Sequence, residues 1–182
     1  SFPTRRSSDL DWDAMRADGY RWWVERLRRA AEMFDAVRID HFRGFAAWWA
    51  VPPDATTARD GRWLPGPGPE VIRAVREQVG DLAFIAEDLG VITADVVELL
   101  ESLDLPGMRV LQYAFGGAWD NPHRLQNHPE RAMVVTGTHD NDTIVGWWHG
   151  VDDTVRHRVR EAAASWGVHE DEPHRVLIRL AF

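Results

Sequence analysis

Three acidic residues stand where short apolar runs of this chain end: Asp40 after "AVRI", Glu87 after "AFIA", and Asp140 at the close of "AMVVTGTHD". Runs of this length read as buried strands, and successive strand residues point to opposite sides. Arg38 and Asp40 therefore share a face, and a guanidinium beside Asp40 favours the ionised form of its carboxyl. An ionised, positioned aspartate suits a nucleophile. Glu87 follows Phe84-Ile85-Ala86, so apolar surface and neighbouring anions are expected to raise its pKa, as a general acid at neutral pH requires. Two carboxylates of unlike environment, facing each other about 5 Å apart, make the arrangement of a retaining glycosidase. Asp140 adds a third acid able to hold sugar hydroxyls or stabilise an oxocarbenium-like transition state. Each acid taken alone is more often a solvated loop carboxylate. Three at equivalent strand ends, with Arg38 and His139 beside two of them, point to a site.

The elements that must position these groups follow from periodicity. Residues 12–34 predict one helix, with Trp23, Leu27, Ala30 and Phe34 as its apolar stripe. A strand is expected over 36–40. Residues 45–68, with "VPPD" and "GPGPE", read as a long irregular excursion. Pro69 opens a helix over 70–79 and Gly80 stops it. A strand lies in "DLAFIAED", and a helix over 94–103 is capped by Thr93. Further strands are expected in "PGMRVLQYAF" and "RAMVVTGTHD". Asp152 or Asp153 then caps a helix carrying Val155, Val159, Ala162 and Trp166. Strands alternating with helices imply an α/β fold with a parallel sheet, covered on both faces. In such sheets chemistry gathers at the C-terminal strand ends, where the acids stand.

Composition narrows the class. The 182 residues suffice for one domain with a real core. With 21 basic against 29 acidic residues and a net charge of −8, neither nucleic acid nor an anionic membrane is an expected partner. The absence of cysteine rules out a disulfide framework, a thiolate nucleophile and a Cys-ligated metal in this sequence. It fits a cytoplasmic location, and no run approaches a membrane span or reads as a signal peptide. The ten tryptophans, with pairs at 22–23, 48–49 and 147–148, are several times the average share. About half are expected in the core, and the rest offer flat faces to a ligand with apolar C–H surfaces, such as a sugar. "SFPTRRSSDL", residues 1–10, has no apolar period and reads as translated adapter sequence, so it is set apart from the fold.

Rival chemistries are poorly served. "THDND" lacks calcium-loop spacing, and no second histidine follows at three or four residues. "GPGPE" has no lysine, and its prolines remove the donors a phosphate loop needs. No G-x-S-x-G announces a serine triad. His157, His169 and His174 lie in polar sequence and are expected in solvent, while Met108 and Met133 read as core filler.

The segments "GYRWWVERLRRAAEMFDAVRIDHFRGF", "GRWLPGPG", "FIAEDLGVIT", "LPGMRVLQYAF" and "TGTHDNDT" together resemble the 4-α-glucanotransferases, also called amylomaltases or disproportionating enzymes, of the α-amylase clan. The resemblance spans residues 11–182. It implies part of a (β/α)8 TIM barrel, roughly strands four to seven, that transfers α-1,4-glucan segments without cofactor or metal. The runner-up is an α-glucan hydrolase of the same clan. An incomplete barrel exposes strand edges, so an inactive fragment with at most glucan binding is the third reading. Carried over by position, Asp40 matches the nucleophile, Glu87 the general acid/base and Asp140 the transition-state stabiliser. Arg38 and His139 match the −1 sugar subsite, and His41 and Asn141 lie in the motifs as further substrate-binding candidates. "RLQNHP" departs from the family's proline-histidine-asparagine pattern and leaves Asn127 as the match. Val135 stands where a tyrosine is common.

Overall fold

The computed structural model describes residues 10–182; the adapter-like stretch therefore lies, save Leu10, outside the described residues. The chain divides into two compact units, one ending at Gly107 and the other running from Met108 to Phe182. Each has its own core.

In the first unit, α1 (Trp12–Ala17) begins where the Asp11 carboxylate accepts the Ala14 N–H at 2.9 Å, an N-cap that satisfies one free donor. The single helix expected over 12–34 is two. Asp18, Gly19 and Tyr20 break the ladder, with Tyr20 in the left-handed region at φ 58°, and α2 (Arg21–Ala31) starts anew. The physical reason is local: Gly19 also takes a positive φ, and a two-residue left-handed turn cannot continue an α-helix. Val24 and Leu27 of α2 are buried, whereas Phe34 lies past the helix end and is exposed.

β1 (Ala36–Ile39) pairs in parallel with β4 (Ala83–Ala86), with Ile39 opposite Ala86. Between them the expected irregular excursion contains regular structure. A short α3 (Arg43–Ala46) leads into an antiparallel hairpin of β2 (Ala47–Ala50) and β3 (Arg62–Pro65). Trp49 and Trp63 face each other across it, ring centroids 5.3 Å apart and nearly perpendicular, a favoured aromatic pairing. The turn residues at both ends masked this ribbon in the sequence. α4 (Glu70–Val79) stops at Gly80 as expected and packs on α2 through Val71, Ile72 and Val75, all without exposed surface. Full burial of such side chains contributes about 1.5–3 kcal/mol each. In α5 (Ala94–Ser102), Thr93 occupies the cap position, but its hydroxyl bonds the Asp95 carboxylate and does not accept a backbone N–H. The core joins Ile39, Phe42, Phe45, Phe84, Val96 and Leu103 to these helices.

The second unit takes up β5 (Gly107–Val110), whose first residue closes the first unit, and pairs it with β6 (Ala132–Val135). Three helices follow: α6 (Ile144–Gly150), α7 (Asp153–Ser165) and α8 (Pro173–Ala181). Asp152 caps α7, accepting the Val155 N–H at 2.9 Å, as the sequence led one to expect. Leu111, Phe115, Val159, Ala163, Val176 and Leu177 form the core. Trp166 does not join it: it lies past the end of α7 and is exposed. α6 and α8 were not anticipated, although Pro173 at the first turn of α8 is a standard start signal. Met108 is buried but Met133 is exposed, so only the first fills core. Five of the ten tryptophans, at positions 22, 49, 63, 119 and 166, are exposed.

Candidate active site

In the first unit the parallel register fixes the two leading acids. Ile39 and Ala86 are opposed, so Asp40 and Glu87 occupy equivalent positions one residue beyond the paired ends. Neighbouring strands lie about 4.8 Å apart. Arg38 Nη1 donates to Asp40 Oδ1 at 2.8 Å, which confirms that strand alternation puts the two on one side. The Asp40 side chain is 66% exposed and open to an approaching molecule.

Glu87 is tied into the end of β1 through both main chain and side chain. Its N–H donates to the Ile39 carbonyl at 2.9 Å, and its own carbonyl accepts the Phe42 N–H at 3.1 Å. Its carboxylate accepts the His41 N–H at 2.7 Å on Oε2 and the Leu89 N–H at 2.9 Å on Oε1. For His41 to present its N–H this way it sits at φ 48°, in the left-handed region that a side chain rarely adopts. Directly below the strand end, Ala86 donates to the Pro106 carbonyl at 2.9 Å. Arg43, which the sequence did not single out, spans the neighbouring loop. Its Nη1 reaches the Val91 carbonyl at 2.6 Å and Thr93 Oγ1 at 3.2 Å, while its guanidinium lies 4.2 Å from the centre of the Trp63 ring.

In the second unit Asp140 rides on the loop of residues 136–142 after β6. Its N–H donates to Thr138 Oγ1 at 3.2 Å, and its carboxylate lies 3.4 Å from His139 Nε2, both side chains exposed. Asn141 turns inward on the loop. Its Oδ1 accepts from the Thr138 N–H at 2.8 Å and the Thr138 hydroxyl at 3.0 Å, and its Nδ2 donates to Tyr113 Oη at 2.8 Å. Gln112, the one buried polar side chain among the described residues, donates from Nε2 to the Asp142 carbonyl at 2.9 Å. Asn127 donates to the carbonyls of Trp119 and Asn121 and so fastens the loop before β6.

The structure thus gathers Arg38, Asp40, His41 and Glu87 at one pair of strand ends, and His139, Asp140 and Asn141 on one loop. His41 contributes its backbone, and Asn141 spends its amide on the loop and on Tyr113. Sequence reasoning missed Arg43, Gln112 and Tyr113. The signal for Gln112 was present, a lone amide inside the apolar run "MRVLQYAF".

Burial, then the hydrogen bond to Glu70, pushes the Tyr20 phenol up to about 12, and the bonds from Tyr20 and Arg16 hold the Glu70 carboxyl below its ordinary value. Burial lowers the His128 imidazole, whose Nε2 lies 2.9 Å from the His123 carbonyl. Among the described residues no group of three or more His, Asp or Glu side chains is placed to hold a metal ion, and no helix is long and apolar enough to cross a membrane.

Comparison with known proteins places the chain in a family. The sequence model of the 4-alpha-glucanotransferase family matches residues 7–182, which takes in residues 7–10 of the adapter-like stretch. The chloroplastic/amyloplastic 4-alpha-glucanotransferase of Arabidopsis thaliana is 51% identical over 172 residues, 94% of this chain and 30% of that protein. The 4-alpha-glucanotransferase of Thermus thermophilus is 43% identical over 159 residues, 86% of this chain and 32% of the other. The chain therefore spans about 30% of the length of the curated relatives it matches. Among solved structures, the amylomaltase from Streptococcus agalactiae in complex with acarbose superposes with a TM-score of 0.81 at 32% identity, over 93% of this chain and 34% of that one. With the family model matching nearly its whole length, this chain belongs to the 4-alpha-glucanotransferase family.

Proposed function

We propose that this chain supplies roughly strands four to seven of a (β/α)8 barrel in a retaining 4-α-glucanotransferase acting on α-1,4-glucans. The observation that carries the reading is the β1–β4 register, which sets Asp40 and Glu87 at matched positions on adjacent strand ends. Carboxyl groups about 5–5.5 Å apart suit retention through a covalent glycosyl-enzyme, and side chains on two adjacent strand ends are within reach of that separation. Asp40, held by Arg38 at 2.8 Å, attacks the anomeric carbon of the donor sugar. Glu87 protonates the departing glucosyl oxygen. The free chain leaves, a sugar 4-hydroxyl enters, and Glu87 takes its proton as the C–O bond to Asp40 breaks.

Asp140 stabilises the oxocarbenium-like transition state, and His139 and Arg38 bind the sugar that carries the positive charge. These assignments rest on the motifs "RIDH", "AED" and "THDN" and on the local geometry of each loop. The acarbose bound to the Streptococcus agalactiae protein, together with 32% identity to it, supports a glucan as ligand.

The test is product analysis with maltotriose on the full-length enzyme that carries this segment. A ladder of longer maltooligosaccharides is expected. Glucose and maltose alone would indicate hydrolysis with water as acceptor, and no turnover would overturn the assignment.

A further inference from the structure

The 136–142 loop is gripped at both ends by one residue. The Gln112 N–H donates to the Thr136 carbonyl at 3.3 Å, and the Gln112 side-chain amide donates to the Asp142 carbonyl at 2.9 Å. The next residue, Tyr113, accepts from Asn141 through its hydroxyl at 2.8 Å. Asn141 in turn holds the Thr138 N–H and hydroxyl, and Thr138 Oγ1 accepts the Asp140 N–H. Asp140 itself is exposed, so its placement comes from this backing and not from contacts of its own carboxylate with the core.

Gln112 reaches Asp142 by passing over Gly137. A Cβ on residue 137 would lie 2.9 Å from Gln112 Nε2 and 3.3 Å from its Cδ, and no other side chain comes closer there. The amide of a buried glutamine costs free energy unless its donors are used. Holding a loop carbonyl at 2.9 Å uses one. An apolar residue would fill position 112 as well for packing, so the amide serves the loop.

We propose that Gln112 is a positioning residue for catalysis: it sets the height of the Asp140 loop by clamping Thr136 and Asp142 across a glycine that leaves its amide room. The inference rests on the reading of Asp140 as transition-state stabiliser. A displacement of about 1 Å at such a group can cost about 10²-fold in rate. The loss belongs in kcat, because an interaction made only in the transition state leaves ground-state binding intact.

The experiment compares Gln112→Leu, Gln112→Ala, Gly137→Ala and the Gln112→Ala/Gly137→Ala double variant in the full-length enzyme, with Asp140→Asn as reference and maltotriose as donor and acceptor. Gln112→Leu keeps the volume and lacks the donor. It is expected to lower kcat by about 10²-fold with KM within about threefold. Gly137→Ala presses first on the end of the Gln112 side chain, with Asn141 Cβ at ordinary contact distance of 3.4 Å, and kcat falls in the same way. In the Gln112→Ala background the added methyl has room and costs little further, so the two effects do not add. If Gln112→Leu does not fold, the Gly137→Ala result and its coupling decide in its place. Parent-like kcat in Gly137→Ala, or simple additivity in the pair, overturns the clamp while an inactive Asp140→Asn leaves the catalytic reading standing. An active Asp140→Asn sinks the catalytic reading first.

Discussion

Glu87 Oε2 accepts the backbone N–H of His41 at 2.7 Å, and the Glu87 N–H donates back across the strand pair to the Ile39 carbonyl at 2.9 Å. The residue assigned the proton traffic is thus also a fastener of the strand end that carries Asp40. On the proposed role of Glu87, activity and local order meet at one side chain, and substitutions there should be read for both.

Glu87→Gln is expected to lower transfer from maltotriose by about 10²–10⁴-fold and to lower stability as well. Its carboxylate accepts two backbone N–H groups, from His41 and Leu89. A glutamine has one oxygen for the two, and the orphaned contact costs about 1–3 kcal/mol. Steady-state rates and urea midpoints, measured on the same preparation, check both halves.

Asp40→Asn should keep glucan binding and lose turnover, because the amide is close in shape but a poor nucleophile. The neutral side chain also releases Arg38 from its 2.8 Å ion pair. Calorimetric titration with maltooligosaccharides beside a rate assay separates the two outcomes. Turnover near the parent level would remove Asp40 from the nucleophile role.

At His41 the backbone φ of 48° makes two substitutions diverge. His41→Gly adopts this region without strain and should change stability by no more than about 1 kcal/mol. His41→Val, branched at Cβ, should cost about 1–3 kcal/mol there. Denaturant midpoints of the pair test the claim, since a side-chain contact alone would make both variants lose alike.

The Tyr20 hydroxyl donates to Glu70 Oε2 at 2.6 Å, and Arg16 Nε reaches the same oxygen at 2.7 Å. The Tyr20 phenol is raised from 10.0 to about 12, so the folded state holds its proton longer than the unfolded one. That contribution is complete below pH 10 and is lost as pH rises toward 12. Glu70 is shifted the other way, below 4.5. Its contribution is present above that value and is lost as pH falls through the depressed pKa, and it is reduced by solvent because the side chain is half exposed. Tyr20→Phe should remove the alkaline loss and Glu70→Gln should flatten the acid limb, both read from unfolding midpoints across pH.

Much of this was legible in the sequence because the signals were local. Arg38 and Asp40 alternate along a strand, and that pattern alone predicts their contact. Val71, Ile72 and Val75 follow the helical period and all are buried. The misses have a shared cause, which is long-range structure overriding a local signal. The single helix expected over 12–34 breaks at Gly19 and Tyr20, because periodicity does not register a left-handed turn. The β2–β3 ribbon hides between proline- and glycine-rich ends. Gln112 is one polar residue among apolar ones, and its partners Thr136 and Asp142 lie more than twenty positions away. No window along the chain contains that relationship.

The β2–β3 ribbon offers a last consequence. It is closed by its own pairing from Ala47–Pro65 to Ala50–Arg62, and the Trp49 indole N–H ties Ala58 back at 2.7 Å. The exposed turn around residues 52–54 therefore hangs from a self-sealed stem. Such a turn is where foreign sequence is best accepted. A fluorophore or affinity tag placed there leaves the strand end bearing Asp40 in register.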